Sequence, residues 1–269
     1  MSFLDECKKI NENNYNYGND VLYSGFSFSK NILPVPGTTP DTKFSSTISV
    51  IGNAYSANPT RSAAKDTFFN AGIGTSFDLI VAEILKSPNY KDFFDKIKDL
   101  SSKRYEYTQA DQEILKATLT CVDLLNSLLQ EAMTNIAKSK GLLKTDADKC
   151  ISFCSKFVHF MCPHTVFIYD SFSNKGSSGL MSAHACGEKS IGECVIDKVF
   201  RAAFRKSWRD EYTAIKIANI NEYCDHVRRA YALAKYLNQQ GIVPTPQISG
   251  DPTSTYMPRL VDSILMNIT

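Results

Sequence analysis

No run of about 18 consecutive apolar residues occurs, so no ordinary membrane-spanning helix is expected. Charge of one sign is not in excess. The 30 Lys and Arg face 28 Asp and Glu, so nucleic-acid binding would need local basic clusters rather than a globally cationic surface. The glycine patterns of dinucleotide and P-loop sites are missing, because AGIGTS (71–76) has neither their spacing nor a strand before it. There is no C-x2-C pair, and neither Cys162-Pro163-His164 nor His184-Ala185-Cys186 has the spacing of a recognised zinc site, with Cys194 close by; no metal and no cofactor is expected. Internal repeats and heptads are lacking, and strand-like alternation is scarce.

The opening MSFLDECKKINEN lacks the apolar core of a signal peptide. The eight cysteines (Cys7, Cys121, Cys150, Cys154, Cys162, Cys186, Cys194, Cys224) are therefore read as reduced thiols, and a cytoplasmic location with no membrane partner is expected. Cys150 and Cys154, four apart on one helix, read most simply as small core residues.

What is present is a core. Of 269 residues 43% are hydrophobic and 11% aromatic, enough to bury one large domain or two small lobes. Residues 1–42 read as a short helix at 2–13 followed by an extended arm, since NILPVPGTTPDT carries three prolines. Residues 43–269 read as one helical domain. Ile48, Ile51 and Tyr55 mark a helix that Asn58-Pro59 closes, and Phe77, Ile80, Val81, Ile84 and Leu85 mark another that Ser87-Pro88 stops. Between Thr108 and Lys140 the spacing of Leu115, Leu119, Val122, Leu125, Leu129 and Met133 predicts a central, mostly buried helix with Gly141 at its end. A further helix is predicted from Thr145 to about Met161, before Pro163, and others over 192–209, 219–240 and 256–266. The fold class expected is all-α, a multi-helix bundle.

Residues 145–171, TDADKCISFCSKFVHFMCPHTVFIYDS, run through an amphipathic helix, a proline turn, an apolar stretch and an aspartate. This order resembles the second half of the core of helix-hairpin-helix DNA glycosylases. The resemblance implies a helical fold of two closely packed lobes, a double-stranded DNA partner, and a role for Asp170 as the family's essential aspartate. Where the family carries a glycine hairpin that grips a DNA phosphate, this chain has KSKGLLKTDAD, with Gly141 as turn residue and Lys138, Lys140 and Lys144 as phosphate contacts by charge. In members that also cut the strand, a lysine on the corresponding helix attacks the sugar; Lys156 and, as the weaker candidate, Lys149 are considered for that role, though neither stands at the family's spacing from the aspartate. The favoured expectation is base excision without strand cutting. SKFVHF and IYDS, with AYSANPTR upstream and RLVDSIL near the C-terminus, also resemble helical bacterial proteins, some linked to phage defence. That implies base-modified phage DNA as a substrate.

The chemistry supports the same residues. Breaking an N-glycosidic bond builds positive charge on the sugar, and a rigid carboxylate such as Asp170 would stabilise it. Asp170 reads equally as the N-cap of a following helix. Lys149, Ser152, Lys156 and His159 share one helix face. A flipped base needs stacking surface and polar groups, for which Tyr55, Asn53, His159, Phe160 and Tyr169 are candidates, with Ser56 and Asn58 beside them. Arg61, and the cluster Arg201, Arg205, Lys206 and Arg209 near Trp208, could meet the DNA backbone. A different reading is a helical DNA-binding or protein-interaction module in which Asp170 is structural.

Overall fold

The computed structural model describes residues 2–14, 17–38, 42–54, 77–108, 111–141, 149–182, 189–191, 194–196 and 217–267. Among them are ten α-helices: α1 Phe3–Glu12, α2 Tyr17–Phe26, α3 Thr42–Ala54, α4 Phe77–Lys86, α5 Asn89–Ser101, α6 Gln112–Ser139, α7 Ile151–Met161, α8 Ser171–Ser182, α9 Asn221–Gln239 and α10 Met257–Asn267. The all-α class holds, with one small exception. A three-residue antiparallel pair joins β1 Lys189–Ile191 to β2 Cys194–Ile196, with Ser190 opposite Val195. No described helix is long and apolar enough to cross a membrane.

The chain divides into two compact units, each drawn from separated stretches. The first comprises residues 1–24, 103–116 and 163–269. In it α8, α9 and α10 pack on one another, and α1 packs on α10. Its core includes Phe3, Phe167, Tyr223, Tyr231, Leu260 and Ile264. The loop before α10 is tied to α1: Thr245 donates its amide to Asn11 Oδ1 at 2.9 Å, and Asn11 Nδ2 donates to the Val243 carbonyl at 2.8 Å.

The second unit comprises residues 25–102 and 117–162. There α3 packs against α4 and α7, and α5 against α7. Phe44, Ile48, Ile80, Phe93, Ile97, Phe153 and Phe157 fill its core. Helix α6, which carries the strongest apolar periodicity, supplies Leu119, Val122, Leu125 and Leu129 to the buried set and ends at Gly141 with φ 69°. That left-handed conformation costs glycine nothing and stops the helix.

Three expectations are corrected, and one helix is added. The stretch after α1 is not simply an extended arm, because α2 occupies Tyr17–Phe26. Glycines at 18 and 25 weaken the local signal there, and the burial of Leu22 and Tyr23 outweighs it. Ser87-Pro88 does stop α4, which ends at Lys86, and Pro88 is also the N-cap of α5, a helix not expected from the sequence, whose Tyr90, Phe93, Ile97 and Leu100 form one buried stripe. Helix α7 begins at Ile151, not Thr145: the Cys150 amide donates to Asn126 Oδ1 of α6 at 2.8 Å, and Lys149 and Cys150 are not helical. Residues 142–148 lie outside the described residues. The helix predicted over 192–209 is interrupted by β2, where Cys194, Val195 and Ile196 favour a pleated strand; residues 197–209 lie outside the described set.

Candidate functional site

The buried run Val166-Phe167-Ile168 leads to Tyr169 and Asp170, both half-buried, and α8 starts at the next residue. Asp170 Oδ1 accepts the amides of Phe172 at 3.0 Å and Ser173 at 2.8 Å. In return Ser173 Oγ accepts the Asp170 amide at 3.1 Å. These reciprocal bonds satisfy amides at the helix start and fix the carboxylate. Asp170 is therefore an N-cap, whatever else it does.

Helix α9 supplies the groups around it. Tyr169 donates its hydroxyl to Glu222 Oε2 at 3.0 Å, and its ring meets the edges of Tyr223 and His226 at 5.8 and 5.4 Å. Burial, reinforced by Glu222, pushes the Tyr169 phenol up to about 12, so it stays a hydrogen-bond donor at neutral pH. Tyr223 donates to the Phe167 carbonyl at 3.0 Å, which holds the apolar segment in place.

His226 is 1% exposed and lies between that segment and α8. Its Nε2 is 2.8 Å from the Ile168 carbonyl, which can only accept, so Nε2 carries the proton. Nδ1, 3.3 Å from Ser177 Oγ, is then the acceptor. Burial lowers this imidazole to about 4, with Arg229 acting in the same direction and the Ile168 carbonyl opposing. Arg229 donates through Nε to Ser177 Oγ at 3.0 Å and through a terminal nitrogen to Asn174 Oδ1 at 2.9 Å. Burial lowers Arg229 as well, and Asp225 counteracts it.

On the solvent side of the α8 start, Phe172 is 58% exposed and the Lys175 ammonium lies 5.8 Å from its ring centre. An exposed aromatic, a cation and a half-buried carboxylate thus occupy one helix turn. Such a patch can stack a base and hold a charge opposite a developing cation.

The remaining sequence candidates fall elsewhere. Lys156, His159 and Phe160 lie in the second unit, at 3%, 0% and 0% exposure. Lys156 donates to Ser152 Oγ at 3.1 Å, and the Phe160 ring meets His159 at 5.3 Å. Every residue of α7 from Phe153 to Met161 is buried, the polar Ser155, Lys156 and His159 included, so this face is core and not the wall of an open cleft. Lys149, Lys138 and Lys140 are exposed, and Asn53 is exposed near the end of α3. Tyr55, Ser56, Asn58, Arg61, Lys144, Arg201, Arg205, Lys206, Trp208 and Arg209 lie outside the described residues. Among the described residues Cys7, Cys121, Cys150, Cys154, Cys162 and Cys224 are buried thiols, and burial pushes those of Cys154 and Cys162 well up. No three His, Cys, Asp or Glu among the described residues gather as a metal site would need.

Sequence reading missed Glu222, His226, Arg229, Asn174 and Ser177. Glu222, His226 and Arg229 stand more than fifty positions from Asp170, and Asn174 and Ser177 lie on α8, a helix the sequence reading considered only as something Asp170 would cap. A usable signal was the charged and polar content of a helix whose residues are nonetheless mostly buried, since buried polar groups must find partners.

No protein-family model, no curated protein and no solved structure matches this chain.

Proposed function

We propose that the protein is a DNA N-glycosylase of helix-hairpin-helix type, acting on a damaged or modified base in repair or in defence against phage. The observation that carries this reading is the Asp170 carboxylate, held by two amides at the exit of a buried apolar segment. Its supports are the order of helix, proline turn, apolar segment and aspartate, and the exposed aromatic beside it.

In this mechanism the target nucleotide leaves the stack, and Asp170 faces the sugar as the bond from C1′ to the base nitrogen breaks. The bonding electrons leave with the base, which takes up a proton, and a water oxygen bonds to C1′ and releases a proton. Asp170 stabilises the cationic sugar without forming a bond to it. Tyr169 and Phe172 offer stacking surface, and Lys175 offers a phosphate contact. With Lys156 in the core, no lysine nucleophile is assigned and the product is an intact strand with an abasic site.

A second reading is favoured by one fact: Asp170 already serves as a complete helix cap, which suits a DNA-binding or protein-interaction module. An abasic-site assay on phage genomes containing normal, hydroxymethylated or glucosylated cytosine separates the two. Asp170→Asn keeps the cap and removes the charge. Alkali-labile sites formed by the wild type, and reduced about 100-fold or more in the variant, support the enzyme. Binding of the same DNA without such sites replaces it with the module.

A further inference from the structure

In the second unit, the turn Phe28–Lys30, the loop 31–38 and the face of α5 bearing Phe94 and Lys98 surround a recess of about 470 Å³. That volume lies in the range of small-molecule sites. Phe28 and Phe94 stand 5.9 Å apart with rings inclined at 57°, and both are half-buried, so aromatic surface remains toward the recess. Leu33 and Pro34 extend the apolar wall, and Lys43 of α3 joins Lys98 in the lining. None of the described lining residues is acidic. Of the α5 carboxylates, Asp95 pairs with Lys91 at 2.6 Å and Asp92 with Lys96 at 3.3 Å.

The loop is held in shape before any ligand arrives. Tyr90 donates its hydroxyl to the Pro34 carbonyl at 2.6 Å, and Thr38 donates both its amide and its hydroxyl to the Val35 carbonyl, at 3.0 and 2.7 Å. Gly37 takes φ 86° at the turn between them, a conformation that suits glycine. A preformed wall lowers the ordering cost of binding.

We infer that this recess binds a small aromatic phosphate of the size of a nucleoside monophosphate, its ring system against Phe28 and Phe94 and its phosphate held by Lys43 and Lys98. Two lysines with no acid among the described lining residues complement a dianion, and a pair of inclined phenyl rings offers both face and edge to a flat ring. The site shares no residue with the Asp170 cluster and is independent of the function proposed above.

The test is calorimetric titration of the full chain with adenosine monophosphate, with inorganic phosphate and octanoate as separate ligands. Adenosine monophosphate is expected to bind at one site. Lys98→Gln, a change at an exposed side chain, should weaken it about two- to fivefold, and added salt should do the same. Phe94→Leu should weaken it about tenfold through lost stacking. Unfolding midpoints of both variants check that the fold is kept. Three results overturn the inference: no nucleotide binding to the folded protein, phosphate binding as tight as nucleotide, or octanoate binding where the nucleotide does not.

Discussion

Gly176 of α8 faces the backbone carbonyl of Leu265 in α10 so closely that a Cβ built on it would stand 2.1 Å from that oxygen. The two helices can pack this way only with no side chain at 176. Gly176→Ala should therefore lower stability by about 1–3 kcal/mol through overpacking, read from the denaturant midpoint. Gly179, one turn on, has nothing within 4 Å of its built Cβ. Gly179→Ala should raise stability by about 0.5–1 kcal/mol in the same experiment, because alanine loses less freedom in a helix.

Asp170 gives a second contrast. Asp170→Ala removes the acceptor of two amides and should cost about 0.5–2 kcal/mol of unfolding free energy. Asp170→Asn retains an acceptor and should change stability by no more than a few tenths of a kcal/mol, about what cap-for-cap exchanges cost. Equal losses in both variants would mean that charge, not the cap, holds the start of α8.

His226 makes stability depend on pH in a fixed direction. Folded, its imidazole protonates only near 4; unfolded, near the ordinary 6.5. Stability is thus complete above about 6.5 and is lost as pH falls from there toward 4, because the unfolded chain takes up a proton that the folded chain refuses. The loss across that window should be on the order of 3 kcal/mol. Urea midpoints at several pH values should show a shallower fall for His226→Gln. His164, lowered to about 4 by burial and then by Arg104, adds a similar dependence that this variant leaves in place.

Tyr231 donates its hydroxyl to Asp111 Oδ2 at 2.5 Å, and Asp111 also accepts the amides of Glu106 and Thr108, each at 3.2 Å. Tyr231→Phe leaves a carboxylate that is 2% exposed with one donor fewer. A loss of about 1.5–3 kcal/mol is expected. Amide exchange of residues 106 and 108 should quicken in the variant; unchanged exchange there would show that Asp111 holds the loop without the tyrosine.

Long periodic segments were legible from sequence. Helices α4 and α6 lie close to where their apolar spacing places them, because a stripe of Leu, Ile and Val has one good solution, and α9 and α10 lie close to the expected 219–240 and 256–266. The helix α2 was not, since its stability comes from the burial of Leu22 and Tyr23 rather than from local preference. The start of α7 was misplaced for a similar reason, as its first turns are set by Asn126 of another helix. Of the site, Asp170 and Tyr169 were legible because chain order alone puts them at the start of a helix. His226, Arg229 and Glu222 were not, because only packing brings α9 to that segment. The shared face of Lys156 and His159 was read correctly as a face and wrongly as a cleft, for periodicity cannot tell which side of a helix is covered.

The division of the chain carries a consequence for synthesis. All of the second unit has been made once residue 162 is added, whereas the first unit needs Asn11 to wait for Thr245 and Asn14 for Ser263. On a ribosome adding about 5–20 residues per second, helix α1 therefore spends roughly ten to fifty seconds without those partners. Phe3 and Cys7, both buried at the end, are exposed through that interval. Of the described helices the first in chain order is among the last to settle, and it is where a chaperone would have most to cover.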